Sequence, residues 1–160
     1  MRKFVITTGL IAMALSSFAQ LTIKETKDEM TDKVYYDLSE GLLCISEDKT
    51  LGFRIDPSIT AKNGIKEMKD LIITMAGLGK CNEKNTLIIL YEGGEKTTLK
   101  SWNKFNCKAT TYFALTPKNI EQLKTKTISK IRLTNGQSYK SYTDEIKYKS
   151  YFVELFNLLN

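Results

Sequence analysis

Thr86-Leu87-Ile88-Ile89-Leu90-Tyr91-Glu92-Gly93-Gly94-Glu95-Lys96-Thr97-Thr98-Leu99-Lys100 is the stretch whose reading decides the fold. A dense apolar run, a diglycine and a second, half-polar run read as a β-hairpin, because glycine accepts the positive φ of a tight turn. With a two-residue turn Leu90 opposes Thr97, Ile88 opposes Leu99, Tyr91 opposes Lys96 and Ile89 opposes Thr98. The first strand is then apolar on both faces, as suits a central strand covered on both sides. That register also sets Glu92 against Glu95 with like charge, so a four-residue loop is the alternative. Beyond the hairpin, Ser101-Trp102-Asn103-Lys104-Phe105-Asn106-Cys107 carries the only tryptophan and the last of three cysteines.

Working toward the N-terminus, Asp70–Ala76 is expected to be a strand, although Ile65, Met68, Ile72 and Met75 also match a helical spacing. A meander precedes it: Val34–Leu38, Leu42–Ser46 and Leu51–Ile55, separated by Ser39-Glu40-Gly41 and Glu47-Asp48-Lys49. Asp56-Pro57-Ser58 is expected to end this meander, since proline cannot donate to a central ladder. Leu21-Thr22-Ile23 reads as a short first strand and Lys24–Lys33 as a charged surface connection. Residues 1–19 read as a signal peptide, with Arg2 and Lys3 before an apolar core and Ser17-Phe18-Ala19 as the cleavage signal. Residues 20–160 are then one exported domain, periplasmic or secreted, with no transmembrane segment and no cysteine placed for a lipid anchor. About 140 residues suffice for one real core.

Toward the C-terminus, Ala109–Leu115 reads as a strand with Tyr112 and Phe113 on opposite faces. Thr116-Pro117 starts a helix, threonine capping the first free amides and proline losing nothing at the first position. Ile128–Thr134 is the next strand, and Asn135-Gly136 is the strongest short hairpin signal in the chain. Its expected register faces Arg132 to Tyr139 and Lys130 to Ser141. Tyr151, Phe152, Leu155, Phe156, Leu158 and Leu159 mark an amphipathic helix packed on a sheet. The sum is an α+β fold, mostly antiparallel β-sheet with two late helices in two layers.

Three segments of this half, Ser101–Cys107, Thr111–Leu115 and Ile128–Gly136, resemble in that order a group of small exported bacterial proteins of unassigned function. The resemblance covers residues 80–160, its motifs are structural, and it implies no catalytic residue.

Export also frames the cysteines. Cys81 and Cys107 flank the central hairpin, and a disulfide between them is expected to stabilise the fold by about 3 kcal/mol on the chain-entropy model. Cys44, in Leu42-Leu43-Cys44-Ile45, is then a small buried hydrophobe. Charge is uneven: residues 20–99 hold 11 basic and 14 acidic side chains, residues 100–160 hold 11 basic and 4 acidic. A basic face on an exported chain fits an anionic envelope component, an acidic glycan or an acidic exported protein, and not nucleic acid. Ten of the last 11 basic residues are lysine, which also fits the plainer reading of solvated outer faces.

Catalytic chemistry finds little support. The chain has no histidine, which removes imidazole-based triads and the usual zinc sets. Neither a phosphate loop nor any other cofactor motif or metal-binding spacing is present. Paired carboxylates at Asp28, Glu29 and Asp32, or Glu47 and Asp48, leave a hydrolase as the enzymatic alternative. An inhibitor of a secreted enzyme is the third reading. The leading expectation is a non-catalytic binding module. Trp102, Asn103 and Phe105 would form an aromatic platform for a sugar or a protein, unless Trp102 folds back as a lid on the core. Arg132 with Tyr139 on an edge strand is the second candidate patch.

Overall fold

The computed structural model describes residues 21–45, 52–62, 64–76, 84–102, 107–134, 139–142, 146 and 148–160. In chain order these form β1 (Ile23–Lys27), β2 (Val34–Leu38), β3 (Leu42–Ile45), β4 (Gly52–Lys62), β5 (Ile65–Ala76), β6 (Thr86–Tyr91), β7 (Lys96–Lys100) and β8 (Thr110–Ala114), then α1 (Pro117–Thr125), β9 (Ile128–Thr134), β10 (Tyr139–Tyr142) and α2 (Tyr151–Leu159). The fold is α+β, with antiparallel strands dominant and both helices late in the chain.

A six-stranded sheet runs β1-β2-β4-β5-β8, with β3 on the same flank of β4 as β2. Its spine is the β4–β5 pair, whose ladder runs from Gly52 opposite Ala76 to Lys62 opposite Ile65. The expected stop at Pro57 is therefore wrong. β3 pairs with Gly52–Ile55 and β2 meets β4 at Thr60, so Pro57 lies where the flank changes partner. A missing amide donor there deprives no ladder on that side. The stretch Ile65–Ala76 is strand throughout, and a bulge between Ser58 and Ile59 absorbs the irregular spacing that mimicked a helix. Lys24–Lys27 belongs to β1 and not to a connection; an outermost strand keeps its charges in water.

The second sheet runs β10-β9-β6-β7. β6 is central, as its two-sided apolar run demands, but the hairpin register differs from the expected one. Leu87 pairs with Leu99 and Ile89 with Thr97. Glu92-Gly93-Gly94 is a three-residue loop: the Gly94 amide donates to the Tyr91 carbonyl and the Tyr91 amide to the Glu95 carbonyl, each at 2.9 Å, with Gly94 at φ 83°. This turn-plus-bulge geometry suits the strand twist and avoids the Glu92–Glu95 clash. It also places four buried residues, Leu87, Ile89, Thr97 and Leu99, on one face. On the far side Tyr139 pairs with Thr134 and Ser141 with Arg132. The expected Arg132–Tyr139 opposition is thus displaced by two residues; the Asn135-Gly136 turn lies outside the described residues.

Both sheets feed one buried cluster that includes Phe53, Ile55, Leu71, Phe113, Leu87, Ile131, Leu123 and Phe152. α1 begins as expected: the Asn119 amide donates to the Thr116 hydroxyl at 3.3 Å while the Thr116 amide donates to Asn119 Oδ1 at 3.0 Å. A buried polar chain fixes it to the second sheet, with the Thr97 hydroxyl 3.0 Å from the Tyr91 hydroxyl and donating to Gln122 Oε1 at 2.6 Å. α2 buries Tyr151, Phe152, Leu155 and Phe156. The Tyr151 hydroxyl donates to the Glu40 carbonyl at 2.8 Å, tying the helix to the β2–β3 connection.

Candidate functional site

Strand alternation divides the six-stranded sheet into two chemistries. The core side carries the rows Cys44–Phe53–Met75, Leu42–Ile55–Ile73–Thr111 and Pro57–Leu71–Phe113. Shifted by one residue, the rows Leu43–Arg54–Thr74–Thr110, Asp56–Ile72–Tyr112 and Ser58–Asp70–Ala114 occupy the other side, and every member is half-buried or exposed. The buried residues of both helices belong to the core, so among the described residues the second set of rows stays open to solvent.

Trp102 stands at the β8 edge of this open face. Its amide donates to the Tyr112 carbonyl at 3.2 Å, which extends the β8 ladder by one bond after β7 has ended. Its ring lies 5.4 Å from the Tyr112 ring at 40° and keeps 61% of its surface exposed. Trp102 is therefore no core lid; it is half of an aromatic pair on the surface. Tyr112, read in the sequence only as a strand residue, is the missed partner. Its alternation with Phe113 was visible, but the chain reversal that brings Trp102 onto it was not.

Farther across the face, Arg54 Nε donates to Asp56 Oδ2 at 2.7 Å. Gly41 lets the β2–β3 connection run against this ion pair, since a Cβ there would sit 2.2 Å from Asp56 Oδ1 and 2.9 Å from the Ile55 carbonyl oxygen. A depression of about 460 Å³ opens beside it, lined by Tyr35, Asp37, Arg54, Asp56, Ser58 and Ile72. The face thus offers stacking surface at one edge and a charge-assisted hydrogen-bonding group in its middle, the combination that holds a flat polar ligand.

The other sequence candidates are distributed differently. Asn103, Phe105 and Cys81 lie outside the described residues, as do Glu47 and Asp48. Arg132 is exposed on β9 and Tyr139 falls on β10, both in the four-stranded sheet and not with Trp102. Cys44 is free and buried, and burial pushes its thiol far above the ordinary range; Cys107 is exposed.

Asp28 is turned into the β1–β2 turn, where its Oδ1 accepts from the Met30 amide at 2.8 Å and the Thr31 amide at 3.3 Å. Hydrogen bonding from the Thr31 side chain, then from the Met30 amide, holds its carboxyl below the usual range, the reverse of what a general acid requires. Asp32 pairs with Lys27 at 2.7 Å. Among the described residues no group of three or more histidine, cysteine or acidic side chains is placed to hold a metal ion, and no helix is long and apolar enough to cross a membrane.

No family model, curated protein or solved structure matches the chain.

Proposed function

We propose that this chain is an exported, non-catalytic binding module of the cell envelope, and that the open face of the six-stranded sheet around Trp102 and Tyr112 takes a glycan. The observation that carries the reading is the exposed tryptophan held by a backbone bond and set at a tilt against a strand tyrosine. Tryptophan left 61% exposed buries little of its apolar area, so holding it in one orientation serves a partner better than it serves the fold. Aromatic rings present flat apolar surface to the C–H face of a pyranose, while Arg54, Asp56 and Thr74 offer donors and acceptors to its hydroxyls. Residues 1–19 act as the signal peptide, and a Cys81–Cys107 disulfide anchors the segment that carries Trp102.

The test uses the only tryptophan as its own reporter. Soluble peptidoglycan fragments and neutral envelope polysaccharides are titrated against the full mature chain while Trp102 fluorescence is followed, with calorimetry alongside. Trp102→Ala and Tyr112→Ala are each expected to weaken binding at least tenfold, as central aromatic contacts do. Trp102→Ala with Phe105→Ala tests the flanking segment in the same assay. Absence of binding, or affinity unchanged in these variants, discards the aromatic face. Thiol titration of envelope-derived protein in denaturant should find one reactive sulfhydryl, that of Cys44; three would remove the disulfide.

A further inference from the structure

The second sheet also has an open side, and its composition is different. Three rows cross β7, β6 and β9: Lys96–Leu90–Lys130, Thr98–Ile88–Arg132 and Lys100–Thr86–Thr134. Lys96, Thr98, Lys100, Lys130 and Arg132 are exposed, and Thr86, Ile88 and Leu90 are half-buried between them. Four of these nine positions are cationic and none is acidic. Among the described residues no carboxylate pairs with Lys96, Lys100 or Lys130; of the two acidic residues at the turn, Glu95 is taken by Lys126 and Glu92 lies in the loop beyond the three rows.

Sheet geometry sets the spacing of these charges. Adjacent strands lie about 4.8 Å apart and alternate residues about 6.8 Å apart, which puts Lys96 about 10 Å from Lys130 and about 14 Å from Lys100. Those separations exceed the Debye length of about 8 Å at physiological ionic strength, so the cations repel one another little and each is left to attract a headgroup of its own at short range.

We propose that this face docks on an anionic lipid bilayer. Three features favour a bilayer over a threaded acidic polymer. The cations are spread over β7 and β9 on either side of β6 and do not follow one line, an arrangement that suits a plane of charge better than a single chain. Three of the four are lysines, compact point charges without the planar fork that reads a particular phosphate or carboxylate. Their stems carry the ammonium groups outward past the recessed Ile88–Leu90 stripe, which suits diffuse attraction to a plane of headgroups. The inference is independent of the glycan face, which lies on the other sheet.

Co-sedimentation of the mature chain with vesicles tests it. Binding is expected to phosphatidylglycerol-containing vesicles and not to pure phosphatidylcholine, and to be lost in 0.5 M salt. Lys96→Gln, Lys100→Gln and Lys130→Gln together should weaken it about a hundredfold, at about fivefold per lysine. A control with the same net charge, Lys24→Gln with Lys33→Gln and Lys149→Gln, should stay within about fivefold of the native chain. Circular dichroism and melting of both variants establish that each is folded, and Trp102→Ala should leave vesicle binding unchanged. Equal losses in the two triple variants overturn the proposal. So does a failure to sediment with anionic vesicles at low salt, or capture on polygalacturonate with none on vesicles.

Discussion

The rows Asp56–Ile72–Tyr112 and Pro57–Leu71–Phe113 lie side by side on the same three strands, one residue out of step. In the first, each side chain meets water and the aromatic residue lies in tilted contact with Trp102. In the second, Leu71 and Phe113 are fully buried. Successive side chains of a strand point to opposite faces, so one residue of register separates what holds the sheet together from what the sheet displays. Substitutions in the two rows should therefore fail in different ways.

The largest expected effect is in the core row. Phe113→Ala should cost about 3–5 kcal/mol in unfolding free energy, measured by urea titration, because it leaves a cavity where no solvent can relax the packing. Tyr112→Ala should cost about 1 kcal/mol or less in the same titration and register instead in glycan affinity. Equal losses of stability would mean that the two sides of the sheet are not distinct. Next comes Gly41→Ala, which forces a methyl group into Asp56 and the Ile55 carbonyl. It should cost about 1–3 kcal/mol, whereas Gly93→Ala, with open space around its Cβ position, should cost less than about 1 kcal/mol.

Alkali separates the sides more gently. Burial raises the Cys44 thiol from its ordinary 9.0, and burial followed by the nearby Asp56 charge raises the Tyr151 phenol from 10.0. Both groups stay neutral in the fold and ionise earlier when unfolded. The stability this gives is whole below pH 9 and is lost as pH rises above it, by roughly 1 kcal/mol per pH unit and per group. Cys44→Ala should flatten the first part of that decline in unfolding titrations between pH 8 and 11. The smallest effect belongs to the open face itself: Arg54→Ala breaks an exposed ion pair and should change stability by no more than about 1 kcal/mol. A larger loss would make that pair a structural member.

How much of this was legible depended on whether the deciding signal was local. β2 and β9 coincide with their expected bounds, and α1 announced itself through Thr116-Pro117, because alternation, caps and turn residues act over a few positions. The β4–β5 spine was obscured because Pro57 is tolerated only through the arrangement of β2 and β3, elements distant in sequence. Helical spacing from Ile65 to Met75 likewise competed with a pairing visible only in three dimensions. The same limit applies to the site. Trp102 stood out by type, but Tyr112, Ile72 and Arg54 join it through cross-strand register, which no local pattern encodes. On the second sheet the lysines were visible as a count, and only the observed hairpin register shows which of them share a face.

That register has a consequence for how the protein tolerates change. Glu92-Gly93-Gly94 turns the chain so that Lys96, Thr98 and Lys100 meet water and Thr97 and Leu99 meet the core. Slipping β7 by one residue along β6 would exchange the two sets, hiding three hydrophilic side chains and exposing a leucine, although no residue of β7 had been altered. Length variants at this tip should therefore keep both faces whenever Tyr91 still closes on Glu95, and one that shifts that closure by a single residue should abolish the second sheet and its cationic plane together.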